Sequence, residues 1–391
     1  MLKRILGFMI AAIVIACSVP AHAFMLGEES KGVKIQVTDE SDLLIRIRMQ
    51  PRLDYGDVIK SKDGASYVKD SDMYMRRVRL EMSGQAVKNL KYNLTLDADK
   101  WGKAENTDKV ALLYAYLNYT FAPEFSLEFG KNKLPYSRVS LSSSSAQLLI
   151  ERPVSTEAAK KLFGADNPYY QTAFKAEGKV AGGVFNYALA LADGWSNAEA
   201  IYTTPSRKVF RAGELVVGRI ELSPPGWVEA KKSDAHLGKG KHLTLGLNAA
   251  QQNNIEYKEN AYSEDRKFTG FDLSAHYEGF TGQFERIGWT IDSSDPAIGK
   301  KEPKGWYAQA GYFITGPDIE PVARYEAYDQ DSKAANKKEK TTTIGLNWYP
   351  KGHSLKFGIN RAHTKYESAA SGYLANDSSK DVYQVQAQFY F

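Results

Sequence analysis

The chain has 391 residues, a net charge of +5 and a mean hydropathy of −0.43, and beyond its N-terminus no apolar run approaches the ~20 residues of a spanning helix. That excludes a helical membrane protein, while 43% hydrophobic and 12% aromatic residues exclude a disordered one. One cysteine, six scattered histidines and a nearly balanced charge exclude a disulfide framework and a cysteine-based zinc site, and make no case for nucleic acid.

Residues 1–23 read as an export signal. Lys3 and Arg4 form a basic head, Ile5 to Ala16 an apolar stretch, and Ala21-His22-Ala23 a small-x-small cleavage site after Pro20. Val14-Ile15-Ala16-Cys17 also fits a lipoprotein box that would lipidate Cys17; cleavage after Ala23 is preferred. Either route takes the chain out of the cytoplasm. Residues 24–42 read as a periplasmic lead-in with no assignable chemistry.

Residues 43–54 set the pattern for the rest of the chain. Ile45, Ile47, Met49 and Leu53 fall on one face, and Arg46, Arg48, Gln50, Arg52 and Asp54 on the other. Successive side chains of a strand point to opposite sides, so this strand has an apolar wall and a charged wall. Residues 72–84 repeat it, with Val78, Leu80 and Met82 against Arg77, Arg79 and Glu81. Residues 88–98 set Leu90, Tyr92, Leu94 and Leu96 against Lys91, Asn93, Thr95 and Asp97. Further runs lie near 110–121, 125–132, 168–178, 182–192, 208–222, 241–253, 266–278, 280–290, 303–316, 319–330, 340–350, 354–366 and 380–391, sixteen in all. Most are 10–13 residues long, and a tilted bilayer-spanning strand needs ~9–11.

Connections after odd-numbered runs are mostly long and those after even-numbered runs mostly tight. Outer-membrane barrels have this pattern, with long external loops and short periplasmic turns. The segment 223–240 breaks it by being long on the turn side. Tyr114, Tyr119, Phe121, Tyr312, Trp348 and Tyr349 read as interfacial aromatics on the apolar faces. The chain ends in Phe391 after Phe389 and Ala387 in alternation, and this looks like the recognition signal of the outer-membrane barrel assembly machinery. A tandem of soluble β-sandwiches is the competing fold, but its strands would be shorter and need no Arg-rich face. The expected architecture is all-β: a transmembrane antiparallel β-barrel of sixteen strands over residues 43–391, in the outer membrane of a Gram-negative-type cell.

Sixteen to eighteen strands leave an aqueous channel unless something fills it. The 35-residue connection 133–167 is the expected constriction, the third loop folded into the lumen; it carries Pro135, Ser142 to Ser145, Glu151, Arg152 and Pro153. Arg suits oxyanions because its planar guanidinium donates paired hydrogen bonds and stays charged. Parity places Arg46, Arg48, Arg52, Arg77 and Arg79 on the lumenal wall, with Arg76 turned the other way. Glu81, Asp97 and Glu128 are inward too and temper the charge. Arg219, Arg324 and Lys356 are weaker candidates, having an inward acid close by or no basic cluster around them.

Met75-Arg76-Arg77-Val78-Arg79-Leu80-Glu81 resembles the Arg-Arg-x-x-Leu-Glu strand of the phosphate- and polyphosphate-selective porins O and P. Lys91 to Asp97, Leu127 to Lys131, the serine run with Glu151-Arg152, Trp306 to Gln309, Arg324 to Glu326 and Gly345 to Tyr349 resemble the same family in the same order. The resemblance implies a homotrimeric barrel whose inner basic ladder leads phosphate or other small anions to a narrow site. It assigns Arg77 as the second Arg of the motif, Asp97 as the acid of the next strand, Ser143 and Ser144 as the loop's serine pair, and Arg48 as the first strand's Arg. Arg79 departs from the pattern, standing where the family has a lumenal Tyr.

The expected function is therefore a passive anion-selective porin, not an enzyme, with no cofactor. A weakly selective general porin and a structural barrel that sheathes or anchors a partner protein are the alternatives, the second kept open by 223–240. No Gly-x-Ser-x-Gly or His-Glu-x-x-His supports a hydrolase. Gly238-Lys239-Gly240-Lys241-His242 lacks the spacing of a phosphate loop and reads as a basic periplasmic connection. His236 and His242, six apart with no acid or thiolate partner, give no metal site.

Overall fold

A computed structural model describes residues 32–104, 108–164, 169–195, 209–257 and 262–391; the export signal, with Cys17 and Ala23, lies outside them. The first strands are β1 (Val33–Gln36), β2 (Asp42–Lys60), β3 (Tyr67–Val87), β4 (Leu90–Trp101), β5 (Val110–Ala122) and β6 (Phe125–Lys133). After the long third loop come β7 (Tyr170–Val180), β8 (Phe185–Ala192), β9 (Val209–Arg211), β10 (Leu215–Leu222), β11 (Lys241–Tyr257), β12 (Ser263–Tyr277) and β13 (Phe280–Ser293). The remainder are β14 (Lys300–Lys301), β15 (Lys304–Tyr312), β16 (Ile319–Asp329), β17 (Lys338–His353), β18 (Leu355–Tyr366) and β19 (Ser379–Tyr390). Neighbours pair antiparallel, and β19 returns to β2 with Val385 opposite Leu53 and Tyr390 opposite Arg48. The sheet is thus a closed barrel of sixteen strands. The short β1, β9 and β14 only extend it at its rims.

The strand faces follow the alternation. On β11, Leu243, Leu245 and Leu247 are exposed at 37–43%, whereas His242, Thr244 and Gln252 are at most 2% exposed. Leu80, Leu117, Phe129, Phe174, Leu189 and Leu273 are likewise exposed on their strands. An outward wall of large apolar side chains is what hydrocarbon requires and what water would penalise.

Ahead of β2, Val33 of the short β1 pairs with Ile45. The aromatic expectations fail in part. Tyr119, Phe121 and Tyr312 are exposed on the outer wall as expected, but Tyr349 is 1% exposed and donates to Glu320 Oε2 at 2.5 Å. Trp348 and Tyr349 are consecutive, so they cannot share a face. Tyr114 also turns inward, because it stands an odd number of residues from the outward Tyr119 and Phe121; its ring sits 5.1 Å from Tyr170.

Within the third loop are two short helices, α1 (Arg138–Leu141) and α2 (Val154–Ala159). The loop carries its own apolar side chains. Leu134, Tyr136, Ala159, Leu162 and Phe163 pack with Ala190, Leu215, Val217, Phe268, Ile287 and Trp289 of the strands. Leu148 and Leu149 pack with Phe313, Val322, Tyr349 and Ala235, the last from the segment 223–240. Inward side chains nearby are correspondingly inaccessible: Gln252, Asp272, Glu285, Glu320 and Asn347 are all 0% exposed. Strand number alone suggests an open bore; the loop's apolar side chains pack against inward residues of the strands.

Candidate anion site

β2 and β3 bring the arginines together, and a bulge decides which ones. Gln50 pairs with Arg77 but Pro51 pairs with Met75, so Arg76 is the extra residue. Pro51 has no N–H for the ladder, which favours a bulge there. Both Arg76 and Arg77 are therefore buried, at 4% and 3% exposure. Arg76, excluded by strict parity, donates to Glu151 Oε1 at 2.9 Å and also bonds Asp99. The bulge inverts parity below it as well, so Tyr74 faces inward and donates to Asp54 Oδ2 at 2.9 Å.

Most of the ladder is paired. Arg48 bonds Glu81 and donates to Ser144 Oγ at 2.8 Å. Arg46 lies 3.3 Å from the other Glu81 oxygen, to which Tyr390 also donates at 2.8 Å. Arg52 donates to Asp54 at 2.6 Å and bonds Glu151. Arg79 holds Asp97 through two bonds of 2.8 and 3.2 Å and donates to Ser144 Oγ at 3.1 Å. Ser144 thus joins two arginines. Ser143 does not reach them; its hydroxyl lies 2.8 Å from Ser145 Oγ.

Four cations bond only neutral oxygens among the described residues. Arg77 donates to Gln50 Oε1 at 3.0 Å. Lys133 reaches the carbonyls of Leu141 and Ser142 at 3.1 and 2.9 Å. Arg152 donates to the Val139 carbonyl at 3.2 Å, and Lys356 to the Gln147 carbonyl at 2.6 Å. Beside Ser144, Ser145, Gln147 and Lys356 is a cavity of about 10 Å³, room for roughly one water. Arg219 and Arg324 are held by Asp272 with Glu221 and by Glu326, as their nearby acids suggest. Lys133, Arg152 and Lys356 are the cations that parity and clustering undervalue, because all three donate to carbonyls of the third loop.

The loop is tied all round. The Ser137 hydroxyl and the Arg138 amide donate to Glu285, Asn347 donates to the Leu148 carbonyl at 2.7 Å, and Arg324 to the Glu151 carbonyl at 2.8 Å. Gln388 donates to the Ser145 carbonyl at 3.1 Å. The segment 223–240, the long exception on the turn side, joins them. Arg138 makes two bonds to Glu229, at 2.9 and 2.8 Å, Ser142 donates to Asp234 at 2.7 Å, and the Ala235 amide donates to Ala146 at 2.9 Å. Burial would raise the Glu151 carboxyl, but Arg76 and Arg52 hold it well below the usual carboxylate range. Glu229, likewise buried, is brought down to about 2 by Arg138.

The family model for phosphate-selective porin O and P matches residues 45–391. An uncharacterised protein of Aquifex aeolicus (strain VF5) is 37% identical over 392 residues, covering 93% of this chain and 91% of that one. Among solved structures, an anion-selective porin from Comamonas acidovorans superposes with a TM-score of 0.63 at 16% identity, covering 90% of this chain and 100% of that one. The trimer form of OmpT from Vibrio cholerae does so with a TM-score of 0.58 at 8% identity, covering 90% and 100%.

Proposed function

The chain belongs to the phosphate-selective porin O and P family, and on that premise we propose that it is a passive, anion-selective channel of the outer membrane for phosphate, polyphosphate or similar small oxyanions. The observation that carries this reading is the set Arg77, Lys133, Arg152 and Lys356, which bond neutral oxygens only. A positive charge without a carboxylate partner keeps its attraction for a mobile anion, at ~1 kcal/mol in bulk water and ~4 at an effective dielectric of 20 for charges ~4 Å apart. The loop 133–167 narrows the lumen, and Ser144 offers its hydroxyl between Arg48 and Arg79. Such contacts are weak and several, which conduction requires if the anion is to leave.

A trimer fits the outer wall. Leu117, Leu127, Phe129, Phe174, Leu189 and Leu191 form a continuous apolar face on β5–β8, where β6 and β8 are only 9 and 8 residues long. A strand shorter than the hydrocarbon layer, as β8 is, is accommodated by oligomerising, which covers the mismatched face with another protomer. Planar-bilayer recording across a salt gradient tests the proposal. The reversal potential is expected to be that of an anion-selective pore, with chloride current blocked by phosphate; a cation-selective reversal potential refutes it.

A further inference from the structure

We infer that Glu229, His236 and His242 form a binding site for a divalent transition-metal ion of the zinc class at the periplasmic end of the barrel. His242 stands near the start of β11, directly across from His276 near the end of β12. Both point inward at the end that carries the short 278–279 turn. The segment 223–240 folds back over them and lays the His236 ring on theirs, with centroids 4.6 Å from His242 and 4.5 Å from His276. The same segment delivers Glu229, whose Oε1 is 3.7 Å from His236 Nε2. One donor atom from each of Glu229, His236 and His242 lies within 4.8 Å of the others. The acid that sequence spacing fails to supply to the two histidines is thus supplied by the fold.

The donor chemistry fits. Two imidazoles and a carboxylate make a three-ligand set that leaves a fourth position for water. Zinc bonds of ~2.1 Å place neighbouring donors about 3.4 Å apart, so closure needs ring movements of about an ångström. His236 Nε2 is buried and has no hydrogen-bond partner, which leaves its lone pair available. His242 Nε2 is 2.7 Å from Ser274 Oγ, an outer partner that fixes the ring and leaves Nδ1 to coordinate. His276 Nδ1 is similarly held 3.0 Å from Thr281 Oγ1, and that ring closes the far side. Glu229 also accepts from Arg138 and from the Ser233 amide. An ion would share this carboxylate with Arg138, so micromolar affinity is expected, in place of the tight binding of a structural zinc site.

The full barrel, folded in detergent, treated with chelator and dialysed against zinc, is expected to bind about one ion per chain. His236→Ala and His242→Ala should each weaken binding by about tenfold or more, and His363→Ala, at the other end of the barrel, should leave it unchanged. Zinc should also protect His236 and His242 of the unaltered chain from carbethoxylation, read by peptide mass, so the result does not hinge on the variants folding. The inference is overturned if zinc binding is unsaturable, if it survives the double variant, or if zinc leaves those two rings as reactive as before.

Discussion

Arg77 and its neighbours differ less in position than in partner. Arg48, Arg52, Arg76 and Arg79 each face a carboxylate, while Arg77 faces the Gln50 amide. Replacing Arg77 with Gln should therefore weaken phosphate block of chloride current by roughly fivefold, ~1 kcal/mol or more, with little loss of stability. Titrating phosphate against single-channel current in both proteins checks this. Arg76→Ala should do the reverse. It strips Glu151 of one of its two cations and leaves Arg52 as the other, at a cost of about 1.5–3 kcal/mol, seen as a lower thermal transition of the folded form.

The third loop depends on contacts at both of its ends and in its middle. Arg138 and Glu229 link α1 to the segment 223–240, and they are almost inaccessible to water. A carboxyl lowered to about 2 in the folded protein stabilises it fully above the ordinary value near 4.5. That stabilisation fades as pH falls towards 2. The difference in thermal stability between the unaltered chain and Glu229→Gln should hence shrink across that interval from about 3 kcal/mol at neutral pH. A difference that stays constant with pH would contradict the assignment. Glu151, also held well below its usual range, should keep its hold on Arg52 and Arg76 through mild acidification.

The barrel as a whole turns leucines and phenylalanines outward, to lipid. Leu247 is exposed in mid-strand on the outer wall, and Leu247→Arg should cost about 2–4 kcal/mol in folding into bilayers. Folding titrations into lipid vesicles measure it. The burial of the inward acids has a second consequence. With 0% exposure at Asp272, Glu285 and Glu320 and a cavity of about 10 Å³ beside Ser144, single-channel conductance should fall well below that of an open sixteen-stranded pore. Recordings in one salt alongside a general porin would decide it.

The sixteen strands and their two faces were legible in the sequence, because period-two alternation is local and a bilayer enforces it on every strand. The inward side of Arg48, Arg52, Arg77 and Arg79 followed from the same parity. Only tertiary structure could reverse that parity at Arg76, where an unpaired ladder position beside Pro51 inserts a residue. It alone joined Glu151 to two arginines, brought Lys133, Arg152 and Lys356 to the loop, and placed Glu229 against His236. The Glu151 and Lys356 pairings join residues far apart in the chain, and the others fold the third loop or the segment 223–240 back on itself. No periodicity encodes them; they exist because folding packs the loop's side chains against inward residues of the strands.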